Sequence, residues 1–146
     1  SLTKAVLNNK YQKVEMIIKH PTFDKVKSNI KEALFISIHL NDSNIFNLLF
    51  QSINDYKIVF PNGKNLLEYL FDVNLLNIWQ CLLSISNLEI SKDDLLMLYR
   101  KSSRNDLLLS LLVEYDEKHN HFIDLNEPIT STGWSKSLFV RVFYNV

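Results

Sequence analysis

Four times along the chain, a triad of apolar residues recurs with the spacing of a single helix face. The triads are Val14, Ile17 and Ile18; Ile45, Leu48 and Leu49; Trp79, Leu82 and Leu83; and Leu108, Leu111 and Leu112. Each has the i, i+3, i+4 pattern that lines up on one side of an α-helix. The closing aliphatic pairs begin at Ile17, Leu48, Leu82 and Leu111, so the pattern returns after roughly 30 residues each time, a period typical of helix-pair repeats. A short helix with one apolar stripe cannot bury that stripe alone. A chain that repeats such a helix is therefore constrained to stack its copies.

The segments that follow these helices repeat in a second register. Taking Phe23, Ile58, Ile90 and Ile123 as equivalent gives steps of roughly 33 residues, in agreement with the first register. A further apolar segment precedes each triad, at residues 2–9, 33–41, 66–72 and 95–101. Polar turns join the two segments of a pair: Asn8, Asn9 and Lys10; Asn41, Asp42 and Ser43; and Ser102, Ser103, Arg104 and Asn105. With 47% apolar residues but only 2 glycines and 3 prolines, the chain has material for a core and little of the punctuation of a many-turned β fold. The expectation is an all-α array of helix hairpins forming one domain of 146 residues.

The repeat length and its loops resemble the ankyrin family, whose unit is about 33 residues. Ile123, Asp124, Leu125 and Asn126, with Gly133, Trp134 and Ser135 further on, resemble the ankyrin loop that leads through a glycine into the next helix. Asn62, Gly63, Lys64, Asn65, Leu66 and Leu67 resemble the same helix entry, and residues 8–18 resemble the inter-helix turn and second helix. The resemblance implies an ankyrin-type solenoid of about four units, at residues 1–29, 30–62, 63–91 and 92–126. A partial fifth unit occupies 127–146, where residues 137–143 repeat the pattern of 65–71. No unit has the Thr-Pro-Leu-His opening, and Lys10 and Asn41 stand where the turn glycine is usual. Asparagine partly substitutes there because it tolerates the left-handed region.

Catalytic and metal chemistry find little purchase in the sequence. His119 and His121, with Asp116, Glu117 and Asp124, form one cluster on what reads as an extended connector, but they match no ligand-spacing motif, so neither a metal nor another cofactor is expected. Cys81 precedes Leu82 and Leu83 and reads as a packed thiol; pairing it with His20 or His39 as a nucleophile has no support in spacing. Arg100, Lys101 and Arg104 read as charges at a helix C-terminus, where they favour the dipole. Trp79 occupies the position of Val14, Ile45 and Leu108 and is expected in the core.

Sixteen basic and sixteen acidic residues cancel, which removes the generic electrostatic drive toward nucleic acid. No apolar run approaches the ~20 residues of a membrane span, so the chain is expected to be soluble. A lone cysteine suits a reducing compartment, cytoplasm or nucleus. The stack of repeats and its ankyrin resemblance imply a non-enzymatic module that binds another protein and is cut from a larger scaffold, adaptor or regulatory protein. The ankyrin resemblance puts contacts at connector tips, near Asp24, Lys25, Asp55, Tyr56, Asn62 and Lys92, and on first helices, at Glu32, Phe35, His39, Glu68, Asp72 and Arg100. The partner-binding set is thus Phe35, His39, Tyr56, Asn62, Glu68, Asp72 and Arg100, with Trp134 in the last connector as a further hot-spot candidate. The alternatives are an effector or enzyme site built from connectors around His119, His121 and Cys81, and weak homo-association through the ends of the array.

Overall fold

The computed structural model describes residues 1–24 and 29–124. Among these the chain is all-helical: α1 (Leu2–Leu7), α2 (Tyr11–Lys19), α3 (Ile30–His39), α4 (Ser43–Ile53), α5 (Leu66–Val73), α6 (Leu76–Leu83), α7 (Lys92–Lys101) and α8 (Asp106–His119). The four apolar triads lie on α2, α4, α6 and α8, each preceded by a shorter or similar helix. Lys25 and the proposed fifth unit at 127–146, with Trp134, lie outside the described residues. Contacts divide the chain into two compact units, Ser1–Leu82 and Leu83–Val146.

In Ser1–Leu82, α1 packs on α2 and α3 on α4, while α1 also packs on α3 and α2 on α4. The first two hairpins therefore stack first helix on first helix and second on second. Their turns are made alike. Asn9 (φ 54°) and Asn41 (φ 55°) are left-handed, and the N–H groups of Asn9 and Asn41 donate to the carbonyls of Val6 and Ile38. The next N–H, of Lys10 or Asp42, reaches back to the carbonyl of Ala5 or Ser37 at 3.0 Å. This pair of bonds closes a Schellman motif, which satisfies carbonyls that a helix end leaves orphaned. Asn74 (φ 51°) repeats the left-handed turn between α5 and α6. In the first turn the residue in the glycine position is thus Asn9. Lys10, expected there from the sequence, has φ −99° and is the N-cap of α2.

Side-chain caps then start the helices. Asp42 accepts from Ile45 N–H at 3.0 Å, and Asn65 with Glu68 forms a reciprocal capping box on α5. Each such cap contributes ~1 kcal/mol. Between α4 and α5 the chain makes a small finger. Phe60 N–H donates to the Lys64 carbonyl at 2.8 Å, Gly63 N–H to the Phe60 carbonyl at 2.9 Å, and Val59 bridges to Asn65. Pro61 and Asn62 form the turn, and Gly63, at φ +85°, supplies the left-handed residue that closes it. The core of this unit includes Leu34, Ile38, Ile45, Phe46, Leu49, Phe50, Leu70 and Trp79, all at 0% exposure.

In Leu83–Val146, α7 packs on α8, and Leu95, Leu98, Tyr99, Leu108, Leu112 and Tyr115 of the two helices are buried. Ser91 caps α7 and Asn105 caps α8. Arg100 and Lys101 lie in the last turn of α7, where their charge meets the negative helix end. From α8, the Tyr115 hydroxyl donates to the Leu88 carbonyl at 2.8 Å and accepts from Ile90 N–H at 3.0 Å, which ties down the connector before α7.

Candidate interaction face

The expected site residues scatter, and only some come together. Phe35 on α3 stacks on Tyr69 of α5 with ring centroids 4.8 Å apart, and Phe60 from the finger meets both rings edge-on at 5.2 and 5.7 Å. Such aromatic contacts contribute about 0.5–1.5 kcal/mol each beyond burial. Phe60 is buried, whereas Phe35 and Tyr69 are half-buried and keep part of their rings in solvent. On the finger, Val59 is 49% exposed, a large apolar side chain left facing water. The result is an aromatic step, held between two first helices and a hairpin tip.

Polar groups rim this step. Lys64 pairs with Asp72, and its backbone N–H donates to the Asn62 side chain at 3.0 Å, so Asn62, Lys64 and Asp72 act as one group. Glu68 is exposed, but its carboxylate accepts from Asn65 N–H at 3.1 Å and so also serves the cap of α5. His39 is exposed at the end of α3. Tyr56 departs from the expectation of an exposed tip. It is only 9% exposed and belongs to the core, because the chain turns inward before the finger begins and leaves Lys57 outside. Arg100 is exposed on α7, in the other unit. The sequence alone does not single out Tyr69 or Phe60, although Tyr69 follows Phe35 by about one repeat.

The histidine cluster has a different character from the one its sequence suggested. α8 continues to His119, so this histidine is helical and stacks on Tyr115 at 4.1 Å while its Nδ1 donates to the Tyr115 carbonyl at 2.8 Å. The polar run at 114–119 propagates a helix well, with Lys118 paired to Glu114 at 3.0 Å. Asp116 is 2% exposed and turned to the backbone: its two oxygens accept from Phe122 N–H at 2.7 Å and Ile123 N–H at 2.8 Å. Among the described residues no three His, Cys, Asp or Glu side chains converge as metal ligands would. Cys81 donates to the Ser43 carbonyl at 3.5 Å, and burial raises its pKa, which disfavours the thiolate a nucleophile needs.

One titration in this region is testable. Burial, and then the charge of Asp116, push the Tyr99 phenol up to about 12 from its ordinary 10.0. A folded-state pKa above the unfolded one means the stabilisation is complete below pH 10 and is lost as pH rises through about 12. Chemical denaturation of Leu83–Val146 within the intact chain, followed from pH 9 to 12, should show a steeper loss of stability for the native protein than for Tyr99→Phe. Parallel curves would remove Tyr99 as the source.

Among the described residues, no helix is long and apolar enough to cross a membrane. Comparisons with family models, with curated proteins and with solved structures yield no match.

Proposed function

We propose that this chain is a non-catalytic protein-interaction module whose hairpins stack as ankyrin-type units, working as a scaffold, adaptor or regulatory part of a larger protein in the cytoplasm or nucleus. The architecture is supported by the stacked first two hairpins, the left-handed turns at Asn9, Asn41 and Asn74, and the finger at 59–65. The observation that carries the function is the aromatic step. Phe35 and Tyr69 are rigid, partly exposed rings packed on Phe60 of the finger, where the preceding residue, Val59, is exposed. Interface hot spots have this composition, an aromatic centre within a rim that excludes water. The partner would insert an apolar side chain against the rings and place polar groups near Lys64, Glu68 and His39.

The test uses variants that leave the core intact. Affinity capture with the intact chain, quantified by mass spectrometry, should enrich a partner that is lost at least tenfold with Val59→Asp. The same capture should be unaffected by Met97→Asp, a comparably exposed site (43%) on α7. Equal capture by both variants would mean that the aromatic step is not the binding face. The tenfold figure corresponds to ~1.4 kcal/mol, within the usual range for one interface residue.

A further inference from the structure

The edge of Ser1–Leu82 that carries the inter-helix turns repeats a chemical pattern of its own. Each turn has a left-handed asparagine, and a little further on another carboxamide stands at the second position of the following helix: Asn9 and Gln12, Asn41 and Asn44, Asn74 and Asn77. Both columns advance by one repeat at a time, and all six side chains are exposed. The backbone accounts for the first column, since asparagine suits a left-handed residue. It does not account for the second. Gln12, Asn44 and Asn77 sit in first turns, where Asp or Glu would be favoured by the helix dipole, yet α2, α4 and α6 have no acidic residue there.

Between the first two rungs the surface is hollow. Asn9, Tyr11, Asp42, Asn44 and Asn47 line an open cleft of ≈ 390 Å³. Tyr11 is 41% exposed and offers its ring to the cleft. Among the described residues, the Asn9 and Asn44 carboxamides have no hydrogen-bond partner. α2 packs on α4, and the Cys81 thiol joins α6 to the start of α4 at Ser43, so the three rungs belong to neighbouring helices.

We propose that this edge binds an extended peptide segment of a partner protein through the segment's backbone. A carboxamide offers a carbonyl acceptor and two N–H donors, so it can bond either the N–H or the C=O of a peptide backbone. Packed helices lie about 8–10 Å apart, and one turn of a polyproline II chain, three residues, advances about 9 Å and brings the same face round again. Successive rungs therefore meet every third peptide group of one strand. The first-turn N–H ends of α2, α4 and α6 add a positive field toward its carbonyls. Tyr11 gives an apolar contact to one side chain, and the rest of the recognition is tolerant of sequence. This edge shares no residue with the step formed by Phe35, Phe60 and Tyr69, so its failure leaves that reading standing.

The test is an NMR titration of the intact, 15N-labelled chain with two unrelated, uncharged nonapeptides of valine, serine and threonine. The side-chain NH2 signals of Asn9, Asn44 and Asn77 should shift with both peptides, and each nonapeptide should bind at least tenfold more tightly than its tripeptide fragment. Methylating every third peptide nitrogen should weaken binding tenfold or more. So should the triple variant Asn9→Gly, Asn44→Ala, Asn77→Ala, at an unchanged melting temperature, because glycine adopts the left-handed turn freely. Val59→Asp should have no effect on these shifts. The proposal is overturned if neither peptide moves the amide signals, if methylated and unmethylated peptides bind alike, if the triple variant binds as the native chain does, or if only an oligosaccharide such as maltoheptaose moves them.

Discussion

Trp79→Ala should cost about 3–5 kcal/mol in the stability of Ser1–Leu82, within the range for deleting a buried tryptophan. The indole is 0% exposed, and its Nε1–H donates to the Leu70 carbonyl at 3.1 Å. That carbonyl also accepts from Asn74 N–H at 3.0 Å, at the left-handed turn between α5 and α6. The ring therefore fills the core and braces the turn that reverses the chain. Because a domain's whole stability is about 5–15 kcal/mol, the loss is a large fraction of the total. Urea denaturation monitored by far-ultraviolet circular dichroism gives the number. Trp79→Phe separates the two contributions: the phenyl ring keeps much of the volume, and Leu70 retains its bond from Asn74, so this variant should lose roughly 1–2 kcal/mol. A loss below about 1 kcal/mol for Trp79→Ala would show that the site is loosely packed.

The place of Trp79 in the core was legible because it shares a repeat position with Val14, Ile45 and Leu108, and position on a helix face decides burial before residue type does. The all-helical class and the pairing of helices were legible for the same reason. Turns were harder. Asn8, Asn9 and Lys10 are all polar, and which of them takes the left-handed conformation is settled by where α1 runs out of carbonyl partners, a detail of hydrogen bonding that composition does not carry. The end of α8 was misplaced for a related reason. Residues 114–119 contain no glycine or proline to stop the helix, so it simply continues to His119.

At the interaction face, Phe35, Asn62, Glu68 and Asp72 were among the contacts the ankyrin resemblance implied; in the fold Phe35 stacks on Tyr69 of α5, and Asn62 and Asp72 meet through Lys64. What repeat logic lacked was the side of the connector each residue takes. Tyr56 is turned inward and Val59 outward, a choice fixed by the hairpin closed between Phe60 and Lys64. Phe60 then lands against Phe35 and Tyr69 from a different element. Such a cluster depends on three segments converging, which no single window of sequence displays.

The same limit hid Asp116, and its removal is the second large effect expected. From sequence it was one carboxylate near two histidines; in the fold its oxygens hold the N–H groups of Phe122 and Ile123 as the chain leaves α8. The turn there passes through His121 in the left-handed conformation (φ 55°), and His121 N–H donates to the Asp116 carbonyl at 2.8 Å. Hydrogen bonds to a charged acceptor contribute about 1.5–3 kcal/mol each, so Asp116→Ala should lower the stability of Leu83–Val146 by about 3 kcal/mol or more. Asp116→Asn should rescue little of this, because its amide keeps one acceptor oxygen and turns a donor toward the second N–H. Hydrogen exchange gives the local reading: the Phe122 and Ile123 amides should lose protection in both variants well before the centre of α8 does. In Asp116→Ala the Tyr99 phenol should also titrate below its native value of about 12, since one cause of its elevation is gone, yet stay above 10.0 because burial is the larger cause. Unchanged exchange at Phe122 and Ile123 would show that the carboxylate does not hold this segment, whatever the change in global stability.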